Sequence, residues 1–393
     1  MKKVLIFGAV KHAIEKAKEL GYEVILVDQN PNIKWIELAD KFKCIPFENF
    51  EENLKFAIEN EVDGIVNATD FAVLVSSYVA ERIGLPGLSY EAAKIAKNKF
   101  EIRKIMQEKN ITNVAQFFEI SQLNQVYDIK DKINFPIILK PCSGLGSLFV
   151  YKINNYEDLV SKVPEVLEGS FNGKALIETF IEGQEYGVES FVYNNVVNVL
   201  AIMKKNMTQL PYRSELGHSI PSELPIEIEN KIKEVVSNLI KAIGINQGAV
   251  NMDLILTSDN IIYVVDVGAR MGGNAISSHI IPNGTGIDHV GNVVKLAMKD
   301  DTIDITPKYN KCVATRILNL DEGIIKGLPD FSEFFDDDVI EICFEKKVGD
   351  MIEKYISDAQ RCGFVVVKGD DITATKQKAL MLRNKINESI IRG

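Results

Sequence analysis

The chain has 393 residues, enough for two or three domains with buried cores of their own. Hydrophobic residues make up 46% and charged residues 25%, the balance of an ordinary globular protein. The 45 lysines and arginines against 55 acids leave a net charge of −10, which argues against a general binder of nucleic acid or anionic membrane, since phosphate contacts need clustered cations. No apolar run approaches the ~20 residues of a membrane span. The N-terminal MKKVLIFG has an apolar run too short for a signal peptide. Cys44, Cys142, Cys312, Cys343 and Cys362 are scattered without a CxxC pair, and the four histidines lack HExxH spacing. Neither a disulfide framework nor a zinc site is expected, and a reducing cytoplasm is the expected compartment.

KVLIF (3–7) is a continuous apolar strand. Ile14, Ala17 and Leu20 recur at helical spacing over 11–20, and Gly21 stops that helix. YEVILVD (22–28) is a second strand ending in Asp28. A helix over 51–60, a strand over DGIVNAT (63–69) and a helix over 73–85, closed by Gly84 and Pro86, follow. Strand–helix alternation of this kind implies a parallel sheet covered on both faces. A dinucleotide site would need G-x-G-x-x-G after the first strand, and Gly8-Ala9-Val10-Lys11-His12-Ala13 has one glycine. Asp28 then reads as a turn residue or cap, and His12 as a helix-start residue. Residues 91–110 are helical and basic.

Chemistry enters with FPIILKPCSGLGSLFVY (135–151). A strand delivers Lys140 to a small-residue loop, Ser143-Gly144-Leu145-Gly146-Ser147, and a second strand, LFVYK, follows. Glycines let backbone N–H groups approach phosphate oxygens, and the lysine adds charge. There is no G-x-x-x-x-G-K-[ST], so this is no Walker A loop, and a plain glycine-rich hairpin is the alternative. ALIETFIEGQEYGVESFVY (175–193) joins two strands through an apolar hinge that can sandwich an adenine, with Glu185 on ribose hydroxyls; a charged hairpin reads equally well. PYRSELGHSIPSELP (211–225) clusters Arg213, Glu215 and His218 between prolines, for substrate contact or for structure. AVNMDLILTSDNIIYVVDVGARMGGN (249–274) is two strands, 250–256 and 261–267, joined by a tight turn. Asp253 and Asp266 on these neighbours make a hard-oxygen site suited to Mg²⁺ on nucleotide phosphates, against the alternative of an exposed hairpin with two surface acids. Arg270 follows in a glycine-rich loop, where it can stabilise a transferring phosphoryl group. From Lys308 three strands and a helix over 373–391 suggest a small α+β unit.

In this order the segments resemble the ATP-grasp superfamily, of the stand-alone carboxylate–amine ligase type, with carbamoyl-phosphate-synthetase-like and biotin-carboxylase-like architecture. The likeness covers nearly the whole chain and includes Asp28, Asn30 and Pro31 after the second strand and GLPGLSYEAAKIAKNKFEIRKIM. It implies an α/β and α+β fold: a Rossmann-like pre-ATP-grasp domain (1–88), an ATP-grasp domain (89–304) with a nucleotide lid at about 114–183, and a C-terminal α+β domain (305–393). Lys99 and Lys140 match the nucleotide-phosphate lysines. Ser143, Gly144, Gly146 and Ser147 match the mobile loop, and Glu178, Phe180, Ile181 and Glu185 the adenine and ribose positions. Asp253 and Asp266 match the magnesium ligands, and Arg270, with Lys140, the catalytic cations. Arg213, Glu215, His218, Arg270 and Asn274 are the expected substrate contacts. Gly268 stands where the family places a metal-binding Asn, for which Asn274 is a candidate replacement. The resemblance implies ATP with Mg²⁺ or Mn²⁺, a small carboxylate (an amino acid or related acid), an amine, and ADP and phosphate as products. No nucleic-acid or membrane partner is expected, and a homodimer is compatible. A kinase, a carboxyphosphate-forming enzyme and a non-catalytic nucleotide-binding module are the alternatives.

Overall fold

The computed structural model describes residues 1–144, 148–209 and 213–393. Strands β1 (Lys3–Phe7), β2 (Glu23–Asp28), β3 (Lys41–Cys44) and β4 (Gly64–Asn67) pair in parallel in the order β3-β2-β1-β4. Period-two alternation explains why β1 is apolar throughout. Val4 and Ile6 pack with Ala13, Ile14 and Ala17 of α1 (Lys11–Glu19), while Leu5 and Phe7 pack against α2 (Phe50–Glu59) and α3 (Val73–Ile83) on the other face. Asp28 is buried at the end of β2 and spends both oxygens on backbone, accepting from Ala9 N and Asn30 N at 2.9 Å each. It is a turn acid.

The basic stretch 91–110 is two helices, α4 (Tyr90–Ala96) and α5 (Lys99–Glu108). Asn98 causes the break: its side chain accepts from the N–H groups of Phe100 and Glu101 and caps α5. Lys99 therefore opens a helix. Its backbone N–H reaches Cys142 O at 3.0 Å, tying that helix start to the end of a strand in the next sheet.

That sheet combines β5 (Phe117–Ile120), β6 (Ile137–Pro141), β7 (Tyr151–Ile153) and β8 (Ala175–Thr179), antiparallel in the order β5-β8-β6-β7. Helices α6 (Gln125–Ile129) and α7 (Tyr156–Glu168) accompany it, and Leu139, Leu159, Val163 and Ile177 fill its core. The strand expected over LFVYK is shorter, with 148–150 outside it.

The largest sheet begins with β9 (Gln184–Tyr193), β10 (Val196–Met207) and β11 (Glu215–Ile220), and continues after α8 (Ile226–Ile243) with β12 (Gly248–Leu256) and β13 (Ile262–Gly268). The apolar stripe of α8, Ile232, Val236, Leu239, Ile240 and Ile243, covers the face formed by Val188, Val250, Met252 and Leu254. A π-helical turn at Ile276–Ile280, α9 (Ile281–Thr285) and α10 (His289–Ala297) lead to the last segment. It contains β14 (Cys312–Ile317), β15 (Gly323–Gly327), β16 (Val339–Phe344), β17 (Met351–Ile352), β18 (Gly363–Gly369), α11 (Ile372–Ser389) and β19 (Ile391–Arg392). β14, β18 and β16 extend the central sheet, whose order is β13-β12-β9-β10-β11-β14-β18-β16. The C-terminal α+β unit is thus joined to the rest by sheet hydrogen bonds.

Candidate active site

A cavity of about 1050 Å³ opens where the three regions meet. Its lining includes Lys99, Lys140, Gly144, Glu178, Phe180, Ile181, Glu185, Arg213, Glu215, His218, Asp253, Asp266, Arg270 and Asn274. Ser143 is not part of that lining; its carbonyl turns back to accept from Phe171 N at 2.9 Å. Gly146 and Ser147 lie outside the described residues.

One end is built by β6 and β8. Their antiparallel register pairs Ile138 with Glu178 and Lys140 with Leu176, which sets Lys140 and Glu178 diagonally on one face. Lys140 Nζ meets Glu178 Oε1 at 2.5 Å. Arg103, buried on α5, grips the same carboxylate through Nε at 3.0 Å and donates from Nη2 to Val265 O at 2.9 Å. Burial alone would raise the Glu178 carboxyl; Arg103 and Lys140 outweigh it and hold it at about 2. Burial also lowers the Lys140 ammonium, against the pull of Glu178. Past β8, Phe180 N donates to Pro136 O at 3.1 Å, so the start of the hinge is held against the residue before β6. Lys152 stands 4.0 Å from the centre of the Phe180 ring.

The β12–β13 hairpin sets Asp253 directly across from Asp266, with Asn251 across from Gly268. Both acids carry a lysine. Asp266 Oδ2 meets Lys99 Nζ at 3.0 Å, and Asp253 Oδ1 meets Lys205 Nζ at 2.9 Å. Desolvation would raise Asp266, but Lys99 holds it at about 2. Side-chain exposures of 32% for Asp253 and 39% for Asp266 leave oxygen surface open to the cavity. No cluster of three or more His, Cys, Asp or Glu suited to a metal ion occurs among the described residues. Two carboxylates are nonetheless the usual protein share for Mg²⁺ held on nucleotide phosphates, so the donor set fits that ion.

Arg213 departs from its expected place beside Glu215 and His218. It ion-pairs with Glu185 and stands 6.0 Å from the Phe180 ring, at the hinge end. Glu215 turns to Lys205 (3.3 Å), His218 (3.2 Å) and Asn274 (2.7 Å). Burial pushes Glu215 up, yet His218 and Lys205 draw it down to about 2, while burial keeps the His218 imidazole below its ordinary value. Lys205 goes the other way: burial would lower it, and Asp253, Glu215 and Glu185 raise it. Asn274 is bonded to Glu215, Asp358 and Arg361: its Nδ2 donates to the two carboxylates, and its Oδ1 accepts from the arginine at 2.6 Å. Asn251 shares a narrow recess with Asp253, Asp266, Gly268 and Arg270, and Asp70, Lys97 and Lys99 line it too.

Arg270 lies beside the paired acids, with Nη1 donating to Met271 O at 2.9 Å and Nε 3.8 Å from Asp70, which is itself bound by Lys97 at 2.7 Å. Asp358 and Arg361 approach from the C-terminal unit. Sequence reasoning gave no role to Arg103, Lys205, Asn251, Asp358 or Arg361. Lys205 could have been suspected from a lysine pair inside the mostly apolar β10, and Asn251 from its place across from Gly268 in the hairpin; Arg103, Asp358 and Arg361 become neighbours only through tertiary pairing.

Residues 133–278 match the ATP-grasp domain family. That segment of the chain is an ATP-grasp domain. It is 25% identical over 222 residues to the L-arginine-specific L-amino acid ligase of Bacillus subtilis, a match covering 56% of this chain and 54% of that protein. The chain therefore spans about half the length of that relative. Among solved structures, phosphoribosylglycinamide synthetase from Anaerococcus prevotii superposes with a TM-score of 0.79 at 26% identity over 100% of both chains. The L-amino acid ligase from Bacillus licheniformis superposes at 0.85 with 22% identity, over 100% of this chain and 99% of that one, a likeness of fold. Among the described residues no helix is long and apolar enough to cross a membrane.

Proposed function

We propose that this chain is an ATP-dependent carboxylate–amine ligase. The observation that carries the reading is one continuous cavity lined by an apolar hinge, Lys99 and Lys140, the paired carboxylates Asp253 and Asp266, and Arg270. ATP would lie with its base at Phe180 and Ile181 and its ribose against Glu185. Lys99 and Lys140 would move from carboxylate partners to phosphate oxygens. Asp253 and Asp266 would hold Mg²⁺ or Mn²⁺, which when bound neutralises phosphate charge.

A substrate carboxylate oxygen would attack the γ-phosphorus, the bond to the ADP oxygen would break, and an acyl phosphate would form. The amine nitrogen would then attack the acyl carbon, phosphate would leave, and the amine would lose a proton. Arg270 would balance charge on the transferring group in both steps. The protein's share is positioning and electrostatics, as in other phosphoryl transfers. Arg270 and Arg361 suit a carboxylate, and Asp358 an ammonium. That pairing favours an amino acid as one substrate, in line with the two amino acid ligases among the similar proteins.

ADP release with ATP and Mg²⁺ against amino acids, singly and in pairs, and against other small carboxylates, tests the reading. ADP formation that requires an acid together with an amine is the expected result. Arg270→Ala should lower kcat by about 100-fold or more, as loss of one charge-stabilising group does elsewhere. Unchanged turnover in that variant removes the proposed mechanism.

A further inference from the structure

Glu189 lies on β9, wholly buried and directly across from Asn251 of β12, and the proposed mechanism leaves it without a task. Four donors converge on its carboxylate. Oε1 accepts from Gly272 N (3.0 Å), Ser277 Oγ (2.9 Å) and His289 Nε2 (2.8 Å). Oε2 accepts from Asn251 Nδ2 (2.9 Å). These partners come from β12, from the loop that follows Arg270, from the π-helical turn and from α10.

A carboxylate with this set of partners only accepts, so the amide of Asn251 must present its NH₂ to it. The amide oxygen is thereby turned the other way. It accepts no hydrogen bond among the described residues. Residues 251 and 253 share one face of β12, as 266 and 268 share one face of β13, and the pairs stand opposite each other. With no side chain at Gly268, the Arg270 guanidinium packs 3.4 Å from where a Cβ would stand, and the recess beside Asn251 is lined by Asp253 and Asp266 together with Lys97, Lys99 and Arg270.

We propose that Glu189 is a positioning residue that fixes the amide of Asn251 with its oxygen toward the nucleotide-bound cation, as a third oxygen donor beside Asp253 and Asp266, and holds the Arg270 loop through Gly272 and Ser277. The inference rests on the reading of Asp253 and Asp266 as the cation site. Its logic is one of polarity. In Glu189→Gln the new NH₂ faces Asn251, so the Asn amide must turn and offer NH₂ to the cation. Adding Asn251→Asp returns an oxygen to the cation side and an acceptor to the Gln, with the charge of the pair unchanged.

The test is the Mn²⁺ dissociation constant of the full chain saturated with ADP, followed by the Mn²⁺ electron spin resonance signal, with metal-free ADP affinity measured in parallel. Glu189→Gln and Asn251→Ala are each expected to weaken Mn²⁺ about ten-fold, the usual effect of losing a supporting partner at a metal site. Metal-free ADP affinity should stay unchanged, and Glu189→Gln with Asn251→Asp should recover most of the loss. Asn251→Ala leaves the other three partners of Glu189 in place, so it tests the donor even where Glu189→Gln folds poorly. Asp266→Asn separates the two readings. If it weakens Mn²⁺ while Asn251→Ala and Glu189→Gln stay within two-fold of the parent, the inference falls and the cation site stands. If Asp266→Asn also leaves Mn²⁺ unchanged, both fall. A double variant weaker than either single overturns the amide orientation.

Discussion

Glu178 shows how one residue ties ligand chemistry to stability. Its carboxylate sits between Lys140 and Arg103 with almost no access to water. Breaking such a group by removing one partner leaves uncompensated buried charge and costs about 3–5 kcal/mol. Glu178→Gln should therefore lower the melting temperature at pH 7 and leave Lys140 and Arg103 facing each other without a counter-charge. The pH dependence has a definite sign. The folded carboxyl lies at about 2, below its ordinary 4.5, so its contribution is complete above pH 4.5 and is lost as pH falls through 2. Thermal melts of parent and variant should differ most at neutral pH and converge between pH 4.5 and 2. A gap that stays constant across that window would mean the carboxylate is not held by these cations.

At the scale of elements, the loop from Gly268 to the π-helical turn shows what sequence can and cannot tell. The hairpin before it was legible: two alternating strands and a tight turn put Asp253 across from Asp266 through local geometry alone, and the structure has that pairing. The strand ahead of Lys140 and the hinge after β8 were legible for the same reason. Glu189 was not, because the partner that explains its burial, His289, lies 100 residues further on. Asn98 interrupts what the sequence pattern presents as one helix, since a cap inside a helical pattern looks like any polar residue until the chain turns. Arg213 is near Glu215 in sequence, yet it reaches Glu185, 28 residues away. The spacing of glycines in this loop does have a physical reason. A Cβ on Gly272 would lie 2.6 Å from Glu189 Oε2 and 2.9 Å from Ile276 Cγ2. Gly272→Ala should push the loop off Glu189 and destabilise by about 1–3 kcal/mol, the scale of overpacking. ADP formation should fall further than ADP affinity, because Arg270 moves while the hinge does not. Equal losses in both would place the damage outside the loop.

For the whole molecule, the question is how a cavity made by three regions keeps its shape. The parallel sheet of residues 3–67 contributes the loop after β1 and Asp70; the lid sheet contributes Lys140 and the hinge; the central sheet contributes the acids. The C-terminal unit reaches in through Arg361, bound to Asn274 and Glu345, and through Tyr355, whose hydroxyl donates to Glu215 O at 2.5 Å. These contacts converge on β11, where the central sheet passes into β14. The join is narrow: Ser219 and Ile220 pair with Ala314 and Val313, and His218 N donates to Thr315 Oγ1 at 2.9 Å. Gly217 makes the approach possible. Its φ is +139°, and a Cβ there would lie 2.2 Å from Thr315 O. Gly217→Ala must therefore part β11 from β14 or distort both, between the two residues, Glu215 and His218, that face the cavity. Hydrogen exchange should rise in Cys312–Ile317 and Gly363–Gly369 and stay unchanged in Ala175–Thr179. Metal-free ADP affinity, set by the hinge, should hold, and any ligase turnover should drop with it unmoved. If exchange in Cys312–Ile317 matches that of the parent, the seam draws its strength from the packing of α11 against β14 and β18, and the narrow strand pairing at β11 is dispensable to the shape of the site.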